Sequence, residues 1–283
     1  MGIFKWDEST ARWTSIASPM QDIWAIAVHP ENPDYIIAGC RPAAFHRSLD
    51  AGQTWEALSV PNLQTFSTIN MGATRVTQIV FDPLDSKRIW VTVEIGGIFF
   101  SHDGGTHWES RDQGLISTDV HGLAVLDKPD GQRIMLATTN RGLHRSTDRG
   151  ENWVFQKIPS KWQYTRAVVE RADRTGVVFL TNGNGPPGDE GLLWMSKDYG
   201  DTWHAVSLPG KINSTIMAVA TNAEDPMRIW VASNLGQVFR SEDGGDSWAR
   251  LPREFGEIRA LHWRRLPDGI RQQAHSITLR QEP

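Results

Sequence analysis

An eight-residue pattern occurs five times in the 283-residue chain and constrains the fold more than any other feature. The pattern is Ser-x-Asp-x-Gly-x-polar-Trp, in which the polar residue is Thr, His, Asn or Ser. We call each copy a box, and the boxes are Ser48–Trp55, Ser101–Trp108, Ser146–Trp153, Ser196–Trp203 and Ser241–Trp248. Recurrence at intervals of about 40–50 residues predicts a repeat architecture, in which each copy belongs to one supersecondary unit.

The composition of the box predicts a turn between two strands. Its Asp carboxylate can accept hydrogen bonds from backbone N–H groups two residues on, and its Gly tolerates a positive φ. The Trp that ends each box is a large apolar group suited to sealing a hairpin against its neighbour. Five copies of one catalytic site are not expected in a single chain, so we interpret the Asp and Trp residues as structural.

The box resembles the Asp-box, or BNR repeat, of sialidase-like β-propellers. Relatives of that kind include sialidases, some endoglucanases, sortilin-type receptors and photosystem II assembly factors. The resemblance covers nearly the whole chain and implies an all-β propeller. It does not imply any one activity, because a single fold hosts many functions.

The two ends of the chain together account for one further repeat. Residues 2–13 align without a gap on the third repeat and place Trp13 at the position of a box Trp, although the rest of that box has decayed. Strand-like runs follow the last box at Ile258–Trp263 and Ala274–Leu279. We therefore predict a single domain over residues 1–283, a six-bladed propeller of four-stranded antiparallel blades whose last blade is completed by the N-terminal strands. Seven blades are the alternative.

Charge and cysteine content exclude several classes of protein. The chain has 29 basic and 33 acidic residues without a basic run, so neither nucleic acid nor a membrane is a predicted partner. Cys40 is its single cysteine, which excludes an internal disulfide. The first residues lack the apolar core of a signal peptide, which predicts a cytoplasmic protein. An exported protein whose leader has been removed is the alternative.

The likeness to propellers implies that two sets of equivalent positions face one mouth of the central channel. One set lies at the start of the first strand of each repeat and the other follows the second strand, and we call these sets the mouth columns. These columns differ from repeat to repeat, which is typical of one asymmetric ligand site; simple solvation of unconstrained positions is the alternative explanation. Arg166 and Arg259, together with Arg75 or Arg141, indicate an anionic ligand, because guanidinium matches carboxylate and phosphate. Pairing of these arginines with local carboxylates, here Glu94 or Asp119, is the alternative. The predicted ligand-binding residues are Trp24, Arg75, Thr139, Asn140, Arg166, Asn182, Asn184, Met217, Asn234 and Arg259.

Three mouth residues are candidates for catalysis. Glu94 and His121 could form a general acid–base pair, with a hydrogen-bonded polar lining as the simpler interpretation. Tyr164 invites comparison with sialidases, whose nucleophile is a tyrosine. The first repeat has no arginine beside Trp24 where a sialidase would carry one, so sialidase activity is not expected. The nine histidines show no metal-ligand spacing, and neither a metal nor a cofactor is predicted.

Two classes of function follow from these residues. The first is a binding protein that holds a small anionic molecule, a carbohydrate, or a peptide or protein partner at the mouth. The second is a hydrolase or lyase that acts on an anionic carbohydrate or another small molecule at the same place. The two are distinguished by whether Glu94 and His121 lie within hydrogen-bonding reach in a deep cavity, or whether the mouth is a broad, open apolar surface.

Overall fold

Strands and turns make up the whole of the computed structural model, which describes residues 2–7, 9–69 and 72–265. The described residues contain no helix. In chain order the strands are β1 (Ile3–Asp7), β2 (Arg12–Ile16), β3 (Ile23–Val28), β4 (Ile36–Cys40), β5 (Phe45–Ser48), β6 (Glu56–Ala57), β7 (Phe66–Ser67), β8 (Gly72–Ala73), β9 (Arg75–Phe81), β10 (Ile89–Glu94), β11 (Gly97–Ser101), β12 (Glu109–Ser110), β13 (Val120–Asp127), β14 (Arg133–Thr139), β15 (Gly142–Ser146), β16 (Val154–Gln156), β17 (Tyr164–Glu170), β18 (Val178–Gly183), β19 (Gly191–Ser196), β20 (His204–Val206), β21 (Ile216–Ala220), β22 (Ile229–Ser233), β23 (Val238–Ser241) and β24 (Ala249–Arg250).

Twenty of these strands form five four-stranded antiparallel sheets in simple sequential order. The sheets are β3–β6, β9–β12, β13–β16, β17–β20 and β21–β24, and the pairs β1–β2 and β7–β8 form two separate hairpins. The prediction of four-stranded antiparallel units in an all-β, propeller-like fold is confirmed.

Apolar side chains fill the spaces between neighbouring sheets. The second strand of each sheet is almost entirely buried, because it is covered on both faces. Phe45 of the first sheet meets Phe99 of the second edge-to-face, with ring centroids 5.9 Å apart. Leu136 of the third sheet belongs to one cluster with Leu180 of the fourth. Each sheet is therefore stabilised mainly by contact with the sheets beside it.

The boxes form the turns between the third and fourth strands. In the third box, Ser146 Oγ accepts a hydrogen bond from the N–H of Gly150 at 2.9 Å, and the Asp148 carboxylate accepts one from the N–H of Asn152 at 3.0 Å. The same bonds recur in the other four boxes. The carboxylate thus bonds four residues on, not two as we predicted. Positive φ at Arg149 (60°) and Gly150 (79°) coils the chain so that the later N–H faces the carboxylate.

The N-terminal hairpin has the predicted register, and the closing strands differ from the prediction. Trp6 of β1 pairs with Trp13 of β2, and their rings lie edge-to-face. Ile258–Trp263, predicted as a strand, forms none in the structure. Its backbone instead bonds to the fifth sheet, where the N–H of Ile258 donates to the carbonyl of Asn234. Ala274–Leu279 lies outside the described residues, so six blades closed by both termini remain a prediction.

A membrane crossing by a helix would need a long apolar helical segment, and the described residues contain none.

Candidate functional site

The first strand of every four-stranded sheet carries a β-bulge near its start. One residue there has no partner on the neighbouring second strand, which breaks the regular alternation of side chains. The extra residue is Trp24 in β3, Thr77 in β9, His121 in β13 and Met217 in β21. In β17 the irregularity falls at Arg166 and Ala167. These five positions begin the predicted mouth column, and bulges of this kind commonly re-aim side chains at functional sites.

The bulged residues surround one cavity of about 530 Å³. First strands from all five sheets line it, and residues 257–261 complete the wall between the fifth sheet and the first. Seven predicted site residues lie in this wall, namely Trp24, Arg75, His121, Arg166, Met217, Asn234 and Arg259. The structure therefore brings the greater part of the predicted mouth columns to one space.

Trp24 stands between two arginines on one side of the cavity. The Cζ atoms of Arg75 and Arg259 lie 4.3 Å and 4.8 Å from its ring centroid, within the range of cation–π attraction. Each arginine also has a carboxylate partner. Arg75 pairs with Glu94, and Arg259 donates to Glu257 at 2.8 Å. The charge of these arginines is thus partly balanced within the protein.

Arg166 differs from those two arginines because no carboxylate among the described residues forms an ion pair with it. Its guanidinium donates to the Tyr164 hydroxyl at 3.1 Å. Burial raises the pKa of Tyr164, although Arg166 opposes the change, so the phenol stays protonated at neutral pH. A protonated phenol is a weak nucleophile, and the geometry gives Tyr164 the role of a hydrogen-bonding group. Arg166 is left with donors that face the cavity.

His121, which lines the cavity, forms a second polar group with Asp119, which lies beside the wall. The Nδ1 atom of His121 lies 2.6 Å from the carbonyl oxygen of Thr165, and its Nε2 lies 3.2 Å from Asp119 Oδ1. Burial lowers the pKa of His121, and the charge of Arg166 lowers it further. The ring is therefore neutral at pH 7, with Nδ1 donating its proton to the carbonyl. One carboxylate oxygen of Glu94 lies within 4.8 Å of the ligand atoms of Asp119 and His121, and no hydrogen bond joins Glu94 to His121 in the described residues.

Four predicted ligand-binding residues lie away from the cavity. Asn182 is buried and uses its amide internally, donating to Ser160 Oγ and the Trp162 carbonyl and accepting from the Trp194 indole. Asn184 braces its own loop through Asp189. Thr139 is fully buried, and Asn140 borders a separate surface depression. All four belong to the second strand of a sheet or to the turn that follows it.

Sequence reasoning missed several residues of the wall. Asp119 adjoins the wall, two positions before the bulged His121, and its place beside that histidine depends on the bulge. Gln78 follows the bulged Thr77, and its Oε1 accepts the N–H of Leu123 in the next sheet at 2.7 Å. Pro186 and Pro187 reach the cavity from the glycine-rich loop between β18 and β19. The length and glycine content of this loop predict that it lies over the mouth, and the individual contacts of Pro186 and Pro187 depend on how the loop folds there.

Cys40 is not a reactive group in this structure. It packs with Ile3, Met20 and Ala38, and its sulfur lies 3.7 Å from His46 Nδ1. Burial raises its pKa to about 11, so the thiol stays protonated and inert at neutral pH.

The fold and the cavity define a class of protein, the all-β propeller-like proteins with a ligand-sized space at the mouth of the channel. Comparisons with known proteins agree with this class. A family model described as "Sortilin, neurotensin receptor 3" matches residues 143–279. The predicted resemblance to sortilin-type propellers is confirmed by that match.

Particular relatives are xyloglucanases and a peptide-binding protein. Xyloglucanase Xgh74A of Acetivibrio thermocellus is 24% identical over 303 residues, covering 88% of this chain and 35% of the relative. The crystal structure of a GH74 enzyme from Niastella koreensis has a TM-score of 0.68 at 18% identity, covering 88% of this chain and 42% of that one. A structure described as YCF48 bound to D1 peptide has a TM-score of 0.57 at 14% identity, covering 84% and 70%.

The chain spans about a third of the length of the xyloglucanase from Acetivibrio thermocellus. At these identities the structural likeness shows the fold alone.

Proposed function

We propose that this chain binds a carboxylate-bearing ligand at the mouth of the cavity, with Arg166 as the main anchor. The proposal rests on the position and the hydrogen-bond partner of Arg166. Arg166 sits at a bulge, faces the cavity and has a phenol in place of a carboxylate as its partner. A guanidinium with free donors is matched in shape and charge to a carboxylate, which it can hold through two parallel hydrogen bonds.

The rest of the wall suits the remainder of such a ligand. Trp24 and Met217 offer flat and flexible apolar surface, and Pro186 borders the same space. Arg75 and Arg259 add positive potential around Trp24 and would attract an anion as it approaches. Asn234 borders the same space, and its amide nitrogen already donates to the Ile258 carbonyl at 3.4 Å. The ligand is therefore expected to carry one carboxylate next to an apolar or ring-shaped portion, as in an acidic peptide or an acidic sugar.

The relatives are compatible with both kinds of ligand. One similar fold is described as bound to a peptide, and the curated relative above is a xyloglucanase. An acidic peptide and an acidic sugar share the carboxylate chemistry proposed here, so the test must contain both.

A thermal-shift screen on EDTA-treated protein tests the proposal. Short acidic peptides, uronic acids and sialic acid are compared with their amidated or neutral counterparts. A ligand that binds the folded state raises the melting temperature by mass action. We expect a carboxylate-dependent rise, and an affinity about 10–100-fold weaker in Arg166→Gln because a charge-assisted hydrogen bond is lost.

The matched control is Arg12→Gln, which removes an exposed arginine on β2, outside the cavity. It should leave binding unchanged. If Arg166→Gln and Arg12→Gln bind equally well, or if no carboxylate in the panel binds, the proposal is wrong.

Hydrolysis of a carbohydrate is the second candidate, favoured by the closeness of Glu94, Asp119 and His121 beside the cavity. Two carboxylates near one substrate are the usual requirement for glycoside cleavage. Release of reducing ends from xyloglucan and from acidic polysaccharides would test it. Turnover lost in both Glu94→Gln and Asp119→Asn would support the enzyme, and its absence across the panel would leave the binding proposal alone.

A further inference from the structure

Three side chains from two neighbouring sheets meet beside the cavity. Glu94 ends β10, Asp119 precedes β13, and His121 is the bulged residue of β13. Each offers one oxygen or nitrogen atom, and these atoms lie within 4.8 Å of one another. No spacing motif in the sequence reveals this group, because the bulge and the neighbouring sheet bring it together.

The hydrogen bond at Nδ1 of His121 determines whether Nε2 carries a proton or a lone pair. Nδ1 lies 2.6 Å from the carbonyl oxygen of Thr165, which can only accept, so Nδ1 carries the proton. In the neutral ring Nε2 then presents a lone pair. The side chain of His121 is 1% exposed, which holds the ring in this orientation. A buried imidazole fixed by a backbone carbonyl on one nitrogen is the arrangement found in histidine metal ligands.

The lone pair of Nε2 faces another acceptor. Asp119 Oδ1 lies 3.2 Å away, is buried, and has no hydrogen-bond donor among the described residues. Two lone pairs at this distance repel each other unless a positive centre lies between them. That centre is either a proton or a metal ion.

We propose that Asp119 and His121, with Glu94 as third ligand, bind a divalent transition-metal cation at the wall of the cavity. A separation of 3.2 Å between Nε2 and Oδ1 fits two bonds of about 2.1 Å that meet at roughly 100°. One imidazole and two carboxylates are a mixed nitrogen and oxygen set, which suits Zn²⁺ or Mn²⁺ better than Mg²⁺ or Ca²⁺. The remaining coordination positions face the cavity, which His121 lines.

Arg75 borders this site and also lines the cavity. It pairs with Glu94, yet a carboxylate has about four lone-pair positions and can bind a guanidinium and a metal together. Arg75 then has the place of an outer partner that orients a ligating carboxylate. The positive charges of Arg75 and Arg166 oppose a cation, so we expect an affinity in the micromolar to millimolar range and not tighter.

Calorimetric titration of tag-free, EDTA-treated protein at neutral pH tests the site. Zn²⁺, Mn²⁺, Mg²⁺ and Ca²⁺ are added separately, without any carboxylate buffer or ligand, so the result does not depend on the proposed anion binding. We expect one site for Zn²⁺ or Mn²⁺ and at least about tenfold weaker binding in Asp119→Asn and Glu94→Gln. Circular dichroism confirms that each variant is folded, and either variant alone is sufficient for the comparison.

The chain offers a matched control in His107, whose Nδ1 lies 2.6 Å from Asp103 Oδ2 in an exposed box turn. His107→Gln removes the other close histidine–carboxylate pair and should leave the affinity unchanged. Loss of binding in His107→Gln with retention in Asp119→Asn would overturn the proposal. So would the absence of Zn²⁺ and Mn²⁺ binding up to about 10 mM in the wild type, which would assign a shared proton to Asp119 and His121.

Discussion

Arg259 lies over the indole ring of Trp24, with its Cζ atom 4.8 Å from the ring centroid. Trp24 belongs to the first four-stranded sheet, and Arg259 belongs to the segment that follows the last one. Arg75 of the second sheet packs over the same indole at 4.3 Å. One aromatic side chain therefore links three parts of the chain that are far apart in sequence.

The Trp24–Arg259 contact is expected to stabilise the fold measurably. A double-mutant cycle with Trp24→Leu and Arg259→Gln should give a coupling free energy of about 0.5–1 kcal/mol by urea denaturation. Arg253→Gln is the control, because Arg253 lies over Phe255 and not over Trp24. A coupling indistinguishable from that of the control would show that the last described segment does not hold the first sheet.

The box carboxylates are expected to make their contribution to stability at neutral pH and to lose it in strong acid. Hydrogen bonds from the side chain and backbone of Asn152 lower the pKa of Asp148 to about 2, from 3.8. A folded-state pKa below the unfolded value means that the contribution is present above pH 3.8 and lost as pH falls through 2. Asp148→Asn should therefore lower the melting temperature by a few degrees near pH 7, and the difference should vanish near pH 2.

Melting curves of Asp148→Asn and wild type across this pH range supply the measurement. Glu224→Gln, an exposed carboxylate outside the boxes, is the control and should change little at any pH. A deficit in Asp148→Asn that persists unchanged at low pH would indicate loss of packing and not of charge.

The fold was predictable from the sequence because its strongest signals are local. Ser146, Asp148 and Gly150 make their bonds to one another within a few residues, so the box specifies its turn wherever it occurs. The second strands were equally clear, since runs such as Ile89–Glu94 are buried on both faces. Ile258–Trp263 resembles the first strand of a repeat in sequence and forms no strand in the structure, so this resemblance alone does not specify strand pairing.

The site was predictable in part. The alignment of the repeats gives the positions of its residues, and the directions in which their side chains point depend on bulges that the alignment does not show. Aligned repeats placed Trp24, His121, Arg166 and Met217 at equivalent positions. The sequence did not reveal that each sits at a bulge, since a bulge adds one residue without a fixed sequence signature. Asn182 is a predicted site residue that the structure places away from the cavity. Its position is equivalent to other mouth residues, yet the indole of Trp194 occupies its oxygen.

His144 is expected to make stability depend on pH between about 6.5 and 4. Its side chain is fully buried, and Nε2 accepts the N–H of Ile116 at 3.2 Å. Burial lowers its pKa to about 4 from 6.5. Between these two pH values the unfolded chain binds a proton at His144 and the folded chain does not. The free energy of unfolding therefore decreases as the pH is lowered from 6.5 to 4, by at most about 1.4 kcal/mol per pH unit.

The variant His144→Gln tests this expectation, because its amide oxygen can still accept the Ile116 N–H while the titration is removed. Urea denaturation at several pH values should give a shallower pH slope for His144→Gln than for wild type. His204→Gln, an exposed histidine on β20, should keep the wild-type slope. Parallel slopes for wild type and His144→Gln would contradict the assignment.

Arg133 joins two sheets through a buried ionic cluster that the sequence did not reveal. Its guanidinium donates to Asp82 Oδ1 at 2.9 Å and to Asp127 Oδ1 at 2.7 Å, and the Asp82 side chain has no exposed area. Removing one partner of such a cluster leaves a buried, uncompensated charge. We therefore expect Arg133→Met to lower the free energy of unfolding by about 3–5 kcal/mol.

The double variant Asp82→Asn/Arg133→Met separates this cost from simple loss of packing. Without the buried charge of Asp82, it should be more stable than Arg133→Met alone, because the carboxylate that lacked a partner has been neutralised. Arg88→Met removes an exposed arginine that pairs with Asp85 and should change stability by no more than about 1 kcal/mol. Chemical denaturation of the four proteins measures all three effects. If the double variant is less stable than Arg133→Met, the cost arises from the lost side-chain packing of Arg133, and the ionic cluster does not determine how these two sheets are held together.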